Sequence, residues 1–173
     1  MACQVKVGTS VQWGRRTVLE RPVLAGLLGC LAAQWAVLEN EVVQLYGRLM
    51  SAYLPRTEGL QIGSHPVALQ VFDTLETTHL RLELLTKLGA WVLKSEPLEA
   101  ELDSIVPAIR RAAKLRNKFV HALWGVAIEY PDALIHLPIF GHQTAYSQAD
   151  FDDAIDRIID AQTKLLDFRA KLR

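Results

Sequence analysis

Cysteine is nearly missing from this chain: Cys3 and Cys30 are the only two, and no CxxC spacing occurs. That excludes a disulfide framework and a thiolate zinc site as the basis of the fold. It also suits the reducing interior of a cytoplasm. Net charge is missing as well, since 19 Lys and Arg balance 19 Asp and Glu. No global field therefore draws the chain onto nucleic acid or an anionic membrane, and any affinity for RNA has to be local. There is no Gly-rich phosphate loop, no nucleophile elbow and no carboxylate–histidine metal motif. His136 and His142 lack metal-ligand spacing and are read as structural. No metal and no cofactor is expected.

Long apolar runs are also scarce. The uncharged stretch from Pro22 to Leu38 has 17 residues and includes Gln34, which is short for a membrane span. Arg15, Arg16 and Arg21 precede it, and Leu27-Leu28-Gly29-Cys30 looks like a lipoprotein cleavage box. Glu20 interrupts that basic region, and apolar periodicity runs straight through the supposed cleavage point. The expectation is a core helix in a cytoplasmic protein that does not enter the membrane.

What the chain does have is helical period. Half of its 173 residues are hydrophobic and 22% are charged, enough for one ordinary domain with a full core. From Pro22, a good first helical residue, the series Leu24, Leu28, Leu31, Trp35, Leu38, Val42, Leu45, Leu49 steps alternately by four and three. Such a heptad seam belongs at the centre of a bundle or at a dimer face. Leu54 to Gly63 reads as a loop, and Ser64 as the N-cap of a helix with Pro66 just inside it. A second long helix is expected from Val67 to Leu93. A third starts near Ser95-Glu96-Pro97 and runs to the neighbourhood of His121, and Pro107 inside it leads to an expected kink near Ser104.

After Trp124-Gly125 the period changes to that of a short hairpin, about residues 124–140. It is either a flap over a site or a packing arm. Ser147-Gln148-Ala149-Asp150 then approximates a capping box and opens the last helix. Residues 1–21 read as an arm or an edge strand, and residues 22–173 as a single helical domain. The expected class is therefore mainly all-α: a four-to-five-helix up-and-down bundle with a short β-hairpin inserted before the last helix.

The third helix carries the one break in pattern. Leu98, Leu102, Ile105, Ile109, Ala112, Ala113, Val120 and Leu123 share an arc of roughly 100° and form its expected buried side. Arg116 projects from the middle of that arc. Arg110, Arg111, Lys114 and Lys118 occupy a separate arc, so the nine residues from Arg110 to Lys118 hold five cations and no carboxylate. Such a run is commonly a solvated face; its functional reading is contact with an RNA backbone. Asn117 and His121 lie one turn apart at the edge between the two arcs and reach one small volume. Arg116 either snorkels or pairs with a core carboxylate, or it flanks that volume as part of a site. Among the polar residues of the second helix, Asp73 and Glu76 are the carboxylates placed to orient Arg116 or His121; otherwise they belong to a solvated face.

Arg116-Asn117-Lys118-Phe119-Val120-His121 resembles the Arg-x(4–6)-His motif of HEPN domains. In that family the motif lies near the end of a late helix in a small helical bundle, commonly with a polar residue directly after the arginine. The resemblance implies a homodimer whose two motifs face each other, often acting as a metal-independent endoribonuclease in a toxin–antitoxin or defence setting. Arg116, Asn117 and His121 would then be catalytic. Some relatives keep the fold without the chemistry, so the alternative is a non-catalytic bundle that binds an antitoxin, another protein partner or a nucleotide.

Overall fold

The computed structural model describes residues 2–14, 16–53, 66–93 and 95–172. The expected loop from Leu54 to Gly63 and the Ser64 cap lie outside these residues. Among the described residues the chain forms β1 (Cys3–Gln4), β2 (Gln12–Trp13), a 3-10 turn (Thr17–Glu20), α1 (Pro22–Tyr53), α2 (Pro66–Asp73), α3 (Thr78–Val92), α4 (Glu96–Val120), β3 (Trp124–Val126), β4 (Ala133–His136), β5 (Thr144–Ser147) and α5 (Gln148–Lys171). The protein is thus mostly helical, with a small antiparallel sheet completed before the last helix. The all-α expectation is corrected to that extent.

Two compact units divide the chain, one of residues 1–35 and 114–158, the other of residues 36–113 and 159–173. The first holds the sheet, in the order β1-β5-β4-β3-β2 with every pairing antiparallel. A hairpin was expected here, and five strands form instead. The third hairpin-like strand, β5, has only Ala145 and Tyr146 as apolar members and runs directly into the α5 cap. The arm contributes β1 and β2, two residues each, too short to show a period-2 pattern.

Register assigns the two faces of this sheet. Trp124, Val126, Leu134, His136 and Tyr146 share one face, because opposed residues point the same way. That face meets Phe119 from the end of α4 and Phe151 from the start of α5, with ring centroids 4.9–5.9 Å apart. The other face carries small residues, Ala133, Ala145 and Gly125, around Ile135. Val5 and Val11 of the arm pack there, together with Ala127, Tyr130 and Leu137. Gly125 permits the approach: a Cβ at that position would lie 2.6 Å from Val11 Cγ1 and 2.7 Å from the Gln12 carbonyl oxygen.

In the second unit the expected long helix from Val67 to Leu93 is two helices. Thr77 adopts an extended backbone conformation and its hydroxyl accepts from the Leu80 N–H, so it N-caps α3. Thr74 turns its own hydroxyl onto the Val71 carbonyl at 2.6 Å. Two threonines that bond locally to the backbone therefore end one helix and start another. Phe72 stacks on Tyr46 at 4.3 Å and lies under the Arg81 guanidinium at 5.5 Å. Arg169 and Lys171, near the end of α5, pair with Glu41 and Glu101.

Seven of the eight seam residues of α1 are buried, Leu28 being half-buried. This chain covers its own seam. The seam is therefore a core feature and supplies no argument for a second copy. Val23, Gly26, Gly29, Cys30 and Ala33 on α1 are exposed, and an 18-residue window of that helix is apolar enough, at mean hydropathy 1.5, to cross a membrane by length and composition. A core helix passes the same test. The α5 cap forms as expected: the Ser147 N–H and hydroxyl both donate to Asp150 Oδ2, at 2.9 and 2.7 Å.

The glycines yield two opposite expectations in thermal unfolding followed by circular dichroism. Gly125→Ala should destabilise the protein by about 1–3 kcal/mol through overpacking against backbone, lowering Tm by several degrees. Gly26→Ala, in an open part of α1 with nothing within 4 Å of the added Cβ, should stabilise by about 0.8–1 kcal/mol through helix propensity. A Gly125→Ala protein as stable as the parent would remove the packing of the arm as the reason for that glycine.

Candidate functional site

The last turn of α4 departs from the expected wheel in an informative way. Leu102, Ile105, Ile109 and Ala112 are buried as expected, but Val120 and Leu123 are exposed and Phe119 is buried in their place. The reason lies just beyond the helix. α4 stops at Val120, and the Trp124 indole N–H donates to the Phe119 carbonyl oxygen at 2.9 Å in a buried hydrogen bond. That bond fastens the start of the sheet to the helix end and draws Phe119 inward. The buried series Ile105, Ile109, Ala112, Phe119 then skips one position, and Arg116 fills it.

Arg116 is half-buried there. One nitrogen joins the three motif residues: Nη1 donates to Asn117 Oδ1 at 3.0 Å and lies 2.8 Å from His121 Nε2. An arginine nitrogen can only donate. The short contact therefore requires a lone pair on Nε2, which is the neutral ring with its proton on Nδ1. Nη1 has two hydrogens, and these two bonds use both. Its Nε and Nη2 have no hydrogen-bond partner among the described residues, which leaves that edge of the fork open for two parallel bonds to an oxyanion. His121 is exposed, just past the helix end, and its backbone N–H still donates to the Asn117 carbonyl at 3.3 Å.

Asp73 ends α2 and faces Arg81 Nη2 at 3.9 Å, while Glu76 is exposed between α2 and α3. The described bonds of Arg116 and His121 involve neither carboxylate. Arg110 is one of the charges that hold the Glu83 carboxyl below its ordinary value, after Lys87 and His79; part of its field is spent on that neighbour. Arg111 and Lys114 are exposed. Lys118 is not simply solvated, because its Nζ sits 4.9 Å over the Tyr146 ring. Among the described residues no group of three His, Cys, Asp or Glu side chains is arranged to hold a metal ion.

Lys118 also brings in a residue that sequence reasoning had set aside. His136 lies on the same sheet face as Tyr146 and Trp124, with ring centroids 6.4 and 5.9 Å away. Burial pushes its pKa below the ordinary value, and the Lys118 charge pushes the same way. No local signal could have coupled residues 118 and 136; only the strand register does. Comparison with protein-family models, with curated proteins and with solved structures finds no match to the chain.

The sign of the His136 shift fixes a pH dependence. A histidine held neutral adds stability above its ordinary pKa of 6.5, and that contribution is lost as pH falls from there through the folded value. In Lys118→Gln the ring resonances of His136 should titrate at higher pH than in the parent, as measured by NMR. The acid-induced drop in Tm should shrink with it. An unchanged titration would mean that burial alone sets the shift.

Proposed function

We propose that this chain is a metal-independent endoribonuclease of the HEPN type, acting as a homodimer, with Arg116, Asn117 and His121 as its catalytic residues. The observation that supports it best is the single Arg116 nitrogen that bonds Asn117 and His121 together. Three residues picked from a spacing pattern meet within hydrogen-bonding distance, at an exposed helix end, with one edge of the guanidinium open.

The chemistry follows from those atoms. When a phosphodiester docks, its oxygens take the open Nε and Nη2 edge of Arg116 and compete for Nη1. His121 Nε2, released from Nη1, is then a neutral acceptor for the proton of the ribose 2′-hydroxyl. The 2′-oxygen forms a bond to phosphorus as the bond from phosphorus to the 5′-oxygen breaks. The products are a 2′,3′-cyclic phosphate and a 5′-hydroxyl, and no water is consumed. Charge on the phosphorane oxygens is offset by Arg116. The 5′-oxygen leaves with a proton, and one imidazole that has just accepted a proton from the other side of phosphorus is poorly placed to supply it. A second copy of His121 across a two-fold axis, in its protonated form, answers that need and ends neutral as the first ends protonated. Arg111, Lys114 and Lys118 would follow the backbone of the bound strand.

Arg116→Leu tests the site against a structural role. Its observed partners are neutral side chains, so the change strands no carboxylate. Arg116→Leu and His121→Ala should each melt within a few degrees of the parent. Each should lose at least about a hundredfold in cleavage of labelled RNA, assayed in chelator with the cyclic phosphate end as the product followed. A His121→Ala protein that cleaves as fast as the parent removes the proposal, and leaves the non-catalytic bundle that binds a protein partner as the better reading.

The two-fold axis has its own measurement. Sedimentation of the parent at roughly tens of micromolar should show a dimer, a concentration at which an interface of ordinary size holds. Monomer alone at that concentration would defeat the composite site, whatever the cleavage assay shows.

A further inference from the structure

The chain between β4 and β5 projects two large apolar side chains into solvent. Ile139 is 92% exposed and Phe140 is 91% exposed. The next residue, Gly141, has φ +104°, a left-handed turn that an L side chain rarely adopts, so the tip has a defined bend. Register places this tip at the end of the sheet where α4 arrives. Trp124 pairs with His136, and the Leu137 N–H donates to the Leu123 carbonyl oxygen at 2.9 Å. Chain reach then keeps the Cα atoms of Phe140 and His121 within roughly 23 Å of each other.

Charge distribution says what such a tip would meet. Within the unit that holds the tip, residues 114–128 contain three cations and no carboxylate, and residues 133–149 contain no Lys, Arg, Asp or Glu. Lys118 stands on that side of the sheet, over Tyr146. An exposed aromatic on the sheet that carries Lys118 is the combination that holds single-stranded nucleic acid: cations follow the phosphates and a ring stacks on a base whatever its identity. A second copy of this chain is the weaker occupant, because a two-residue tip falls far short of the roughly 800 Å² per partner of a stable interface.

We infer that the Ile139-Phe140 tip is a base-stacking element that holds single-stranded RNA a few nucleotides from the phosphate bound at Arg116 and His121. This rests on the nuclease reading of that motif and extends it: the substrate has to present an unpaired base, since a duplex offers no base face for Phe140 to stack on. Ile139 packs beside the stacked base, and Phe140 is the specificity element for unpaired over paired RNA.

Binding and cleavage are separated by measuring affinity of the intact protein for 2′-O-methyl RNA, which lacks the attacking hydroxyl and cannot be cut. Fluorescence anisotropy with a short labelled oligoadenylate of this kind should show Phe140→Ala binding about tenfold more weakly and Phe140→Trp binding within about twofold, as loss and retention of one stacked base require. An oligomer of the same length with abasic positions should bind both proteins alike. Phe140 is exposed, so the variants should melt as the parent does. Equal affinity of Phe140→Ala for the oligoadenylate overturns the inference, as does an absence of oligoadenylate binding in both proteins. A loss of affinity for phosphatidylserine vesicles, with RNA binding unchanged, overturns it in favour of a membrane contact. Parent protein that binds through Phe140 but never cleaves keeps the inference and removes the nuclease. Cleavage by the parent with no role for Phe140 does the reverse.

Discussion

The buried hydrogen bond from the Trp124 indole to the Phe119 carbonyl oxygen is the constraint on which the site depends. It spans the join between α4 and β3, where a helix must give way to an extended strand within a few residues. A carbonyl at a helix C-terminus has no partner inside the helix, and in a buried position an unsatisfied one would cost about 1–3 kcal/mol. Trp124 meets that need and brings its ring onto Phe119, Tyr146 and Phe151. One side chain thus ends the helix, starts the sheet and centres the aromatic core between them.

The consequences reach the motif directly. Because α4 runs to Val120, Asn117 and Arg116 sit on its last turns, and His121 follows as the first residue past its end. Arg116 occupies a position in the buried series without being sealed. It is near the helix end, so its guanidinium extends past the last turn to Asn117 and His121 rather than into the interior. A charged residue on a core face is costly in the middle of a helix and tolerable where the helix stops. That is a general reason for a site to form at such a place.

The sheet does more than cap the helices. Its small-residue face accepts the arm at Gly125, its aromatic face holds Lys118 and His136, and its turns define one end beside the motif. Long-range pairing therefore decides which residues become neighbours of Lys118 and Trp124. Assigning Asp73 and Glu76 of the second helix to the motif takes an inference between elements, whereas Arg116, Asn117 and His121 lie within one helix and its first following residue.

By itself the sequence determined what repeats along one element: the seam of α1, the start of that helix at Pro22, the Ser147–Asp150 cap, and the arginine out of place on α4. These are set by a 3.6-residue period or by bonds within a few residues, and both are readable locally. Only the tertiary structure decided that Phe119, not Val120 or Leu123, is buried, that strands of two to four residues from the arm and the hairpin region make one sheet, and that Lys118 lies beside His136. Strands this short show no period, and their pairing energy comes from partners far away in the chain. The threonines at 74 and 77 were visible as residues but not as a break, because an apolar stripe runs on across it and only the observed hydrogen bonds show where the backbone leaves the helix.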